Sequence, residues 1–497
     1  MQSILISDLM QASGVQFGTS GARGLVTRMS DAVCYAYTAA FLQHLRASGQ
    51  LGTAPTVAIA GDYRSSTPRI LAAVTHAVID AGLRPDYCGR LPAPALAYYG
   101  MQQGVPSIMV TGSHIPDDRN GIKFNSAHGE ILKDDEAGIR AQRVTLPETL
   151  RDDMYTPGHA PLLPDINEQA YRRYVARYVD FFPERFLAGA RIGLYQHSSV
   201  ARDIFYDILT ALGAQVDKLA PSEHFVSVDT EAIRPEDVAL ARAWAQHGAY
   251  NALISADGDA DRPLVADECG EWLRGDVAGI LCARYLRAAV VATPVSSNSA
   301  VDKCGWFARV MRTRIGSPYV VAAMQTALAA KQQPVVGYEA NGGFLTGSDI
   351  TLNGRTLTAL PTRDAMLVPL ALLALAQQQG KTLSELLATL PPRYTASGRV
   401  EHFPTALSQT RIAALASGDV ARDLRAIDAQ FVALFGHARS VDHTDGLRIT
   451  FANDEVVHLR PSGNAPEFRC YTEASGAARA QAMLDQCIAQ MEQWKTS

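Results

Sequence analysis

Ser113 and the residues that follow it set out the chemistry this chain could do. The run Thr111-Gly-Ser-His-Ile-Pro-Asp-Asp-Arg-Asn-Gly121, continued by Ile122-Lys123, puts a hydroxyl beside an imidazole and an ammonium. Val105 to Val110 before it predicts a strand, and Pro116 and Gly121 tighten the loop, which makes Ser113 a candidate carrier of a phosphoryl group. By composition alone the run is also an ordinary turn, since Ser, Asn, Asp and Gly favour turns for local backbone reasons. No G-x-S-x-G elbow is present, and a serine and histidine adjacent in sequence seldom pair as nucleophile and base. Lys123 tips the reading toward function.

The second chemical run is Ser255-Ala-Asp-Gly-Asp-Ala-Asp-Arg262, with Asp257, Asp259 and Asp261 at alternate positions. Three carboxylates in one loop repel one another, and a hard divalent cation relieves the conflict. An EF-hand is the competing reading, because Glu268 stands at the twelfth position of a loop begun at Asp257. Arg262, however, occupies the sixth position, where that loop needs glycine, and Tyr250 to Ser255 predicts a strand where an EF-hand has a helix. A serine nucleophile together with a metal loop points to phosphoryl transfer.

Three further loops suit an anionic, hydroxylated ligand. Phe17-Gly-Thr-Ser-Gly-Ala-Arg-Gly24 offers backbone donors and the Arg23 guanidinium. Gly337-Tyr-Glu-Ala-Asn-Gly-Gly343 places Glu339 and Asn341 among glycines that allow close backbone approach, and paired sugar hydroxyls would suit the carboxylate. Arg460-Pro-Ser-Gly-Asn-Ala-Pro466, with Arg469 beyond it, brings Arg460, Ser462, Gly463 and Asn464 into one tight turn suited to a phosphate dianion. Each could be a structural turn on its own; the order of the loops along the chain is the stronger signal.

The elements that must position these loops follow a repeated pattern. Apolar strands at Thr56 to Ala60, Arg191 to Tyr195 and Ala289 to Thr293 are each followed by a serine pair: Ser65-Ser66, Ser198-Ser199 and Ser296-Ser297. The pairs are placed to cap helices over Thr67 to Ala81, Ala201 to Leu212 and Ala300 to Val310. Short buried strands alternating with amphipathic helices predict α/β units. The last hundred residues differ, with short strands at Leu447 to Phe451 and Glu455 to Arg460 and a terminal helix over Gly476 to Trp494, an α+β pattern. The expected organisation is therefore three related α/β domains, over 1–160, 161–270 and 271–390, and a C-terminal α+β domain over 391–497.

A chain of 497 residues is too long for one core, which fits several domains. The net charge of −5, with 19% charged residues, gives no general grip on nucleic acid or anionic membrane, so neither is an expected partner. The seven cysteines are scattered without a C-x-x-C pair and predict reduced thiols in the cytoplasm. The start lacks a basic segment before an apolar stretch, and the longest apolar run, Ala365 to Ala376, is interrupted by Pro369 and too short to span a bilayer.

These four ordered motifs resemble the α-D-phosphohexomutase superfamily, in which phosphomannomutases, phosphoglucomutases and phosphoglucosamine mutases fall, and the resemblance runs from Phe17 to Glu473. Thr111 to Pro116 looks like its phosphoserine loop, Asp257 to Arg262 like its Mg²⁺ loop, Gly337 to Gly343 like its sugar loop and Arg460 to Pro466 like its phosphate loop. The resemblance implies mixed sheets in the α/β domains and four domains around a central cleft. It implies a hexose phosphate substrate and a hexose 1,6-bisphosphate that forms on the enzyme and primes it. It also implies Mg²⁺ held by Asp257, Asp259, Asp261 and phosphorylated Ser113, with Arg23, His114 and Lys123 nearby and Lys123 a candidate to move the hydroxyl proton. Arg262, Glu339, Asn341, Arg460, Ser462, Gly463, Asn464 and Arg469 would bind substrate. Mannose is the expected hexose, with glucose and glucosamine as alternatives, and a non-catalytic sugar-phosphate or cation binder is the contrasting class. The expected assembly is a monomer or small homo-oligomer. Two departures stand out: Gly343 where many relatives end the sugar loop in histidine, and Asn464-Ala465 where the phosphate loop often reads Thr-Glu.

Overall fold

The computed structural model of the protein describes residues 3–18, 21–51, 55–148, 150–151, 154–155, 162–462 and 466–496. Three mixed sheets share one plan. In the second, the strand Arg191–His197 lies between the parallel strands Gln215–Pro221 and Ala252–Ala256, and Pro263–Ala266 returns antiparallel to the last of these. The third repeats this with Val290–Pro294 between Arg309–Thr313 and Val335–Tyr338, followed by Phe344–Thr346 and then Leu360–Asp364. The first has Thr56–Gly61 between Arg84–Arg90 and Ser107–Val110, then Arg119–Ser126 and Ala22–Leu25 in antiparallel succession.

Because the plan repeats, each chemical loop occupies the same topological place, the turn between the third strand and its antiparallel return. Thr111–Asp118, Asp257–Arg262 and Glu339–Gly343 are those three turns. The central strands are buried along their length except at Arg191, as expected for strands covered on both faces.

The C-terminal unit is a five-stranded antiparallel sheet in the order Tyr394–Val400, Phe468–Ala474, Val456–Pro461, Leu447–Phe451, Ala438–Asp442. Helices Thr405–Leu415, Val420–Phe435 and Ala477–Thr496 accompany it. Its strands Val456–Pro461 and Phe468–Ala474 are again antiparallel neighbours.

One apolar core runs through the first three units, threaded by the helix Gln169–Phe181, whose Ala170, Tyr174, Tyr178 and Phe181 are buried. The C-terminal unit has a separate core and meets the third through polar groups. Glu473 accepts from Ser299 N at 3.0 Å, from the Ser299 hydroxyl and from Arg393 Nε at 2.5 Å. Asp445 accepts from Ile315 N at 3.0 Å.

Several sequence expectations are revised. The serine pairs cap only in part: Ser66 is the N-cap of Thr67–Asp80 without a side-chain cap bond, and its oxygen accepts from Asn120 Nδ2 at 2.9 Å. Ser199 accepts from Ala201 N at 3.1 Å but gives its own proton to the carbonyl of Asp257 at 2.7 Å. Tertiary partners compete for hydroxyls that local spacing assigns to helix caps. The helix expected over Ala300 to Val310 is a single turn, Ala300–Lys303, and Arg309 already opens the next strand. The apolar run at Ala365 to Ala376 lies mostly in the helix Leu367–Gln379, buried on every face, with Pro369 in its first turn where no intrahelical donor is lost. Among the described residues no helix is long and apolar enough to cross a membrane, and all seven cysteines are free thiols.

Candidate active site

The loop after Ser107–Val110 is held from beneath by a buried arginine. Arg64 NH1 donates to the carbonyls of Pro116 (2.7 Å) and Arg119 (2.9 Å), and NH2 to those of Ser113 (3.0 Å) and Ile115 (2.5 Å). Asp62 lies 3.2 Å from Arg64 Nε and accepts from Gly112 N, and the ring of Phe225, from the second unit, covers the guanidinium at 3.8 Å. A Cβ on Gly112 would stand 2.5 Å from Arg64 Cζ, so only glycine lets the loop rest on this arginine. Ser113 itself sits in the left-handed region at φ 55°, uncommon for serine, with its N–H donating to Thr111 Oγ1 at 2.8 Å.

So placed, the Ser113 hydroxyl donates to Asp257 Oδ2 at 2.6 Å and lies 3.2 Å from His114 Nδ1. Asp257 caps its own turn, its Oδ1 accepting from the N–H groups of Asp261 and Arg262. Ligand atoms of Asp257, Asp259 and Asp261 lie within 4.8 Å of one another. Oδ1 of Asp259 and of Asp261 are buried without a hydrogen-bond partner among the described residues. Unsatisfied carboxylate oxygens beside a serine hydroxyl fit a hard divalent cation. The flanking elements are strands, so the EF-hand reading fails on architecture as well as on Arg262.

Four cations neutralise this corner. Lys123 Nζ is 2.6 Å from both Asp259 Oδ2 and Asp261 Oδ2. Arg363 donates to Asp261 Oδ2 and, through NH1, to Glu339 Oε2 at 3.2 Å. Arg262 Nε lies 3.7 Å from Asp261 Oδ1, and half-buried Arg23 faces the same acids. Burial pushes Asp257 well above the usual carboxylate range, with repulsion from Asp259 and Asp261 adding to it. Burial acts the same way on Asp261, but Arg363, Lys123 and Arg262 outweigh it and hold that carboxyl low. Burial, then Arg262 and Arg23, lower His114 to about 2, which keeps its imidazole neutral. Burial works against the Lys123 ammonium, yet Asp259 and Asp261 more than offset it and its pKa rises. A base role needs the opposite shift; in this arrangement Lys123 is paired with two aspartates.

In the third unit Glu339 N donates to Gly343 O and Gly342 N to Glu339 O, each at 3.0 Å, closing the turn. Asn341 spends its side-chain oxygen on Gly343 N at 2.9 Å, and its carbonyl accepts from Thr230 of the second unit. In the C-terminal unit Arg460 and Arg469 stand opposite each other on adjacent strands. Like charges so placed need an anion between or beside them. Arg460 Nε pairs with Asp445 Oδ1 at 3.0 Å and Arg469 with Glu467 at 3.2 Å, within their own unit rather than with the cluster around Ser113. Ser462 N donates to Glu467 O at 2.9 Å. Gly463 and Asn464 lie outside the described residues.

Four family models match this chain in order: phosphoglucomutase/phosphomannomutase alpha/beta/alpha domain I over 14–146, domain II over 169–270, domain III over 274–394 and the C-terminal domain over 412–490. The chain belongs to the phosphoglucomutase/phosphomannomutase family. It is 44% identical over 472 residues to a phosphomannomutase of Salmonella muenchen, covering 94% of this chain and 93% of that one. It is 43% identical over 476 residues to a phosphomannomutase of Sinorhizobium fredii, covering 96% and 98%. Among solved structures, a phosphoglucomutase/phosphomannomutase family protein from Burkholderia thailandensis superposes with a TM-score of 0.72 at 19% identity, over 96% of this chain and 97% of that one. The Aspergillus fumigatus N-acetylphosphoglucosamine mutase in complex with GlcNAc-6P and magnesium gives 0.57 at 15% identity, over 99% and 98%. At these identities the two structures speak for the fold alone.

Two residues of this family member's site escape sequence reading. Arg64 and Arg363 are each about 1% exposed. Neither lies in a glycine-rich run, and the loop carbonyls that Arg64 serves and the carboxylates that Arg363 joins are distant in sequence. A usable signal exists for Arg363: a guanidinium next to a long apolar helix segment must be paired, because an unpaired buried charge is too costly.

Proposed function

We propose that the chain is a hexose phosphomutase that interconverts hexose 1-phosphate and hexose 6-phosphate through phosphorylated Ser113, and that mannose phosphates are its substrates. The observation that carries the reading is the bond from Ser113 Oγ to Asp257, which puts a strained, buried hydroxyl against the three-aspartate cluster. In the first half-reaction the phosphorus bond to Ser113 oxygen breaks as one to the free sugar hydroxyl forms, giving the 1,6-bisphosphate. In the second, the other phosphoryl group passes to Ser113 and its sugar oxygen becomes the free hydroxyl. No phosphate is consumed. The serine proton released in the second step already points at Asp257 Oδ2.

Asp257, Asp259, Asp261 and the phosphoserine would hold Mg²⁺, which spreads the charge of the transferring group. Arg23, Arg262 and Lys123 supply further positive charge to the same corner. Glu339 would orient sugar hydroxyls, with Asn341 keeping the shape of its turn. Arg460, Ser462 and Arg469 would grip the phosphate that is not being transferred, with Gly463 and Asn464 as further donors.

Mannose is favoured because the two relatives at 43–44% identity carry the name phosphomannomutase. The test is a mutase assay with mannose, glucose and glucosamine 1-phosphates, supplied with Mg²⁺ and a priming bisphosphate. Mannose 1-phosphate should give the highest kcat/KM. Preference for another hexose would overturn the substrate, and no turnover with any of them would overturn the activity.

A further inference from the structure

Arg363 lies on the strand Leu360–Asp364, which pairs with Phe344–Thr346 so that Asp364 stands opposite Phe344. This puts Arg363 beside the end of the Glu339–Gly343 turn. Its Nε and NH2 reach Asp261 Oδ2 at 3.2 and 2.7 Å, and NH1 reaches Glu339 Oε2 at 3.2 Å. One planar cation thus joins a carboxylate of the second unit's loop to a carboxylate of the third's.

Gly343 is what makes room for it. A Cβ there would stand 2.4 Å from Cδ, 2.7 Å from Cγ and 3.1 Å from Cβ of Arg363. Gly342 has φ +91°, but Gly343 does not lie in the left-handed region. Space rather than backbone conformation therefore excludes a side chain at 343. Any side chain at this position would need the volume that the Arg363 stem fills.

We propose that Gly343 and Arg363 work as a pair: the glycine admits the arginine stem, and Arg363 is a positioning residue that holds Glu339 and Asp261 at a set spacing. The inference rests on the phosphomutase reading, since it gives the spacing a purpose: aligning sugar hydroxyls with the phosphoryl group near the aspartates. Removing the guanidinium leaves two buried carboxylates without it, and a lysine cannot reproduce a fork that reaches both.

A double-mutant cycle tests the pairing. Gly343→Ala and Arg363→Ala should each lower kcat/KM by about tenfold or more, with KM for the hexose phosphate carrying most of the loss. In the Arg363→Ala background, Gly343→Ala should add less than about twofold, because the stem it strikes is gone. Arg363→Lys should recover stability but not KM. Equal costs of Gly343→Ala in both backgrounds would overturn the pairing, and a folded Arg363→Ala enzyme with parental KM would overturn the positioning role. Should Arg363→Ala not fold, Gly343→Ala decides alone: a folded enzyme with parental KM overturns the proposal. If the parent enzyme turns over no hexose phosphate, the phosphomutase reading fails, and the same cycle in unfolding midpoints still judges whether the two residues are coupled.

Discussion

The hydroxyl of Ser113 donates to Oδ2 of Asp257 at 2.6 Å, joining residues 144 positions apart and two different sheets. The bond exists because equivalent turns of the first and second units face each other. Gly258 N-terminal to Asp259 lets them close in, since a Cβ there would stand 2.7 Å from Ser113 O. Ser113→Ala should abolish turnover and leave no site for phosphate from a sugar bisphosphate, as read by peptide mass analysis. Asp257→Asn keeps the shape and should lower kcat by at least about a hundredfold. Phosphate on another residue, or an active Ser113→Ala enzyme, would remove Ser113 from the mechanism.

Arg64 gives the serine loop its shape, so its loss should be felt in stability as well as rate. Arg64→Met leaves Asp62 buried without its cation and four carbonyls without their donor. Breaking a buried pair from one side costs about 3–5 kcal/mol, and denaturant unfolding should report a loss of that order. Arg64→Lys should recover little, since one ammonium cannot serve four carbonyls spread over seven residues. Unfolding midpoints and kcat equal to those of the parent would mean that the loop holds its shape without this arginine.

The place of the chemical loops was legible because each is a short turn between strands, with residue types whose chemistry is local to the turn. Thr56, Arg191 and Leu447 begin strands where short apolar runs placed them. What lay out of reach depends on distant partners. Arg363 meets Asp261 from 102 positions away, and Lys123 meets Asp259 from 136, so neither the pairing nor the raised pKa of Lys123 could be read from periodicity. The serine pairs misled for the same reason: the hydroxyl of Ser199 answers to Asp257, not only to its helix. In the C-terminal unit, Thr405–Leu415 and Val420–Phe435 carry mixed faces exposed on one side, and no motif marked them.

The aspartate cluster predicts a stability readout for metal that needs no turnover. A cation that binds the folded protein alone stabilises it by about 2.7 kcal/mol at a hundredfold excess over Kd. Mg²⁺ should therefore raise the unfolding temperature of the parent protein, and a chelator should reverse the rise and stop catalysis. Asp259→Asn, which keeps volume but removes a charge, should abolish the shift. Calcium giving a large shift while magnesium gives none would argue against Mg²⁺ as the ion.

Arg460 offers the clearest separation of binding from chemistry, because it lies in the C-terminal unit and pairs with Asp445 instead of any group near Ser113. A hydrogen bond to a charged group contributes about 1.5–3 kcal/mol, so Arg460→Ala should raise KM for hexose phosphates by about tenfold or more. Asp445 complicates the picture usefully: its Oδ1 orients Arg460 while its Oδ2 accepts from Ile315 N of the third unit. Asp445→Asn keeps the acceptor for Ile315 but weakens the hold on Arg460. It should raise KM less than Arg460→Ala does, and in the double variant it should add little, since the group it orients is absent. Steady-state kinetics on the three variants decide the matter. Parental KM in Arg460→Ala would make this turn structural, and full additivity in the double variant would mean that Asp445 acts through the junction with the third unit and not through Arg460.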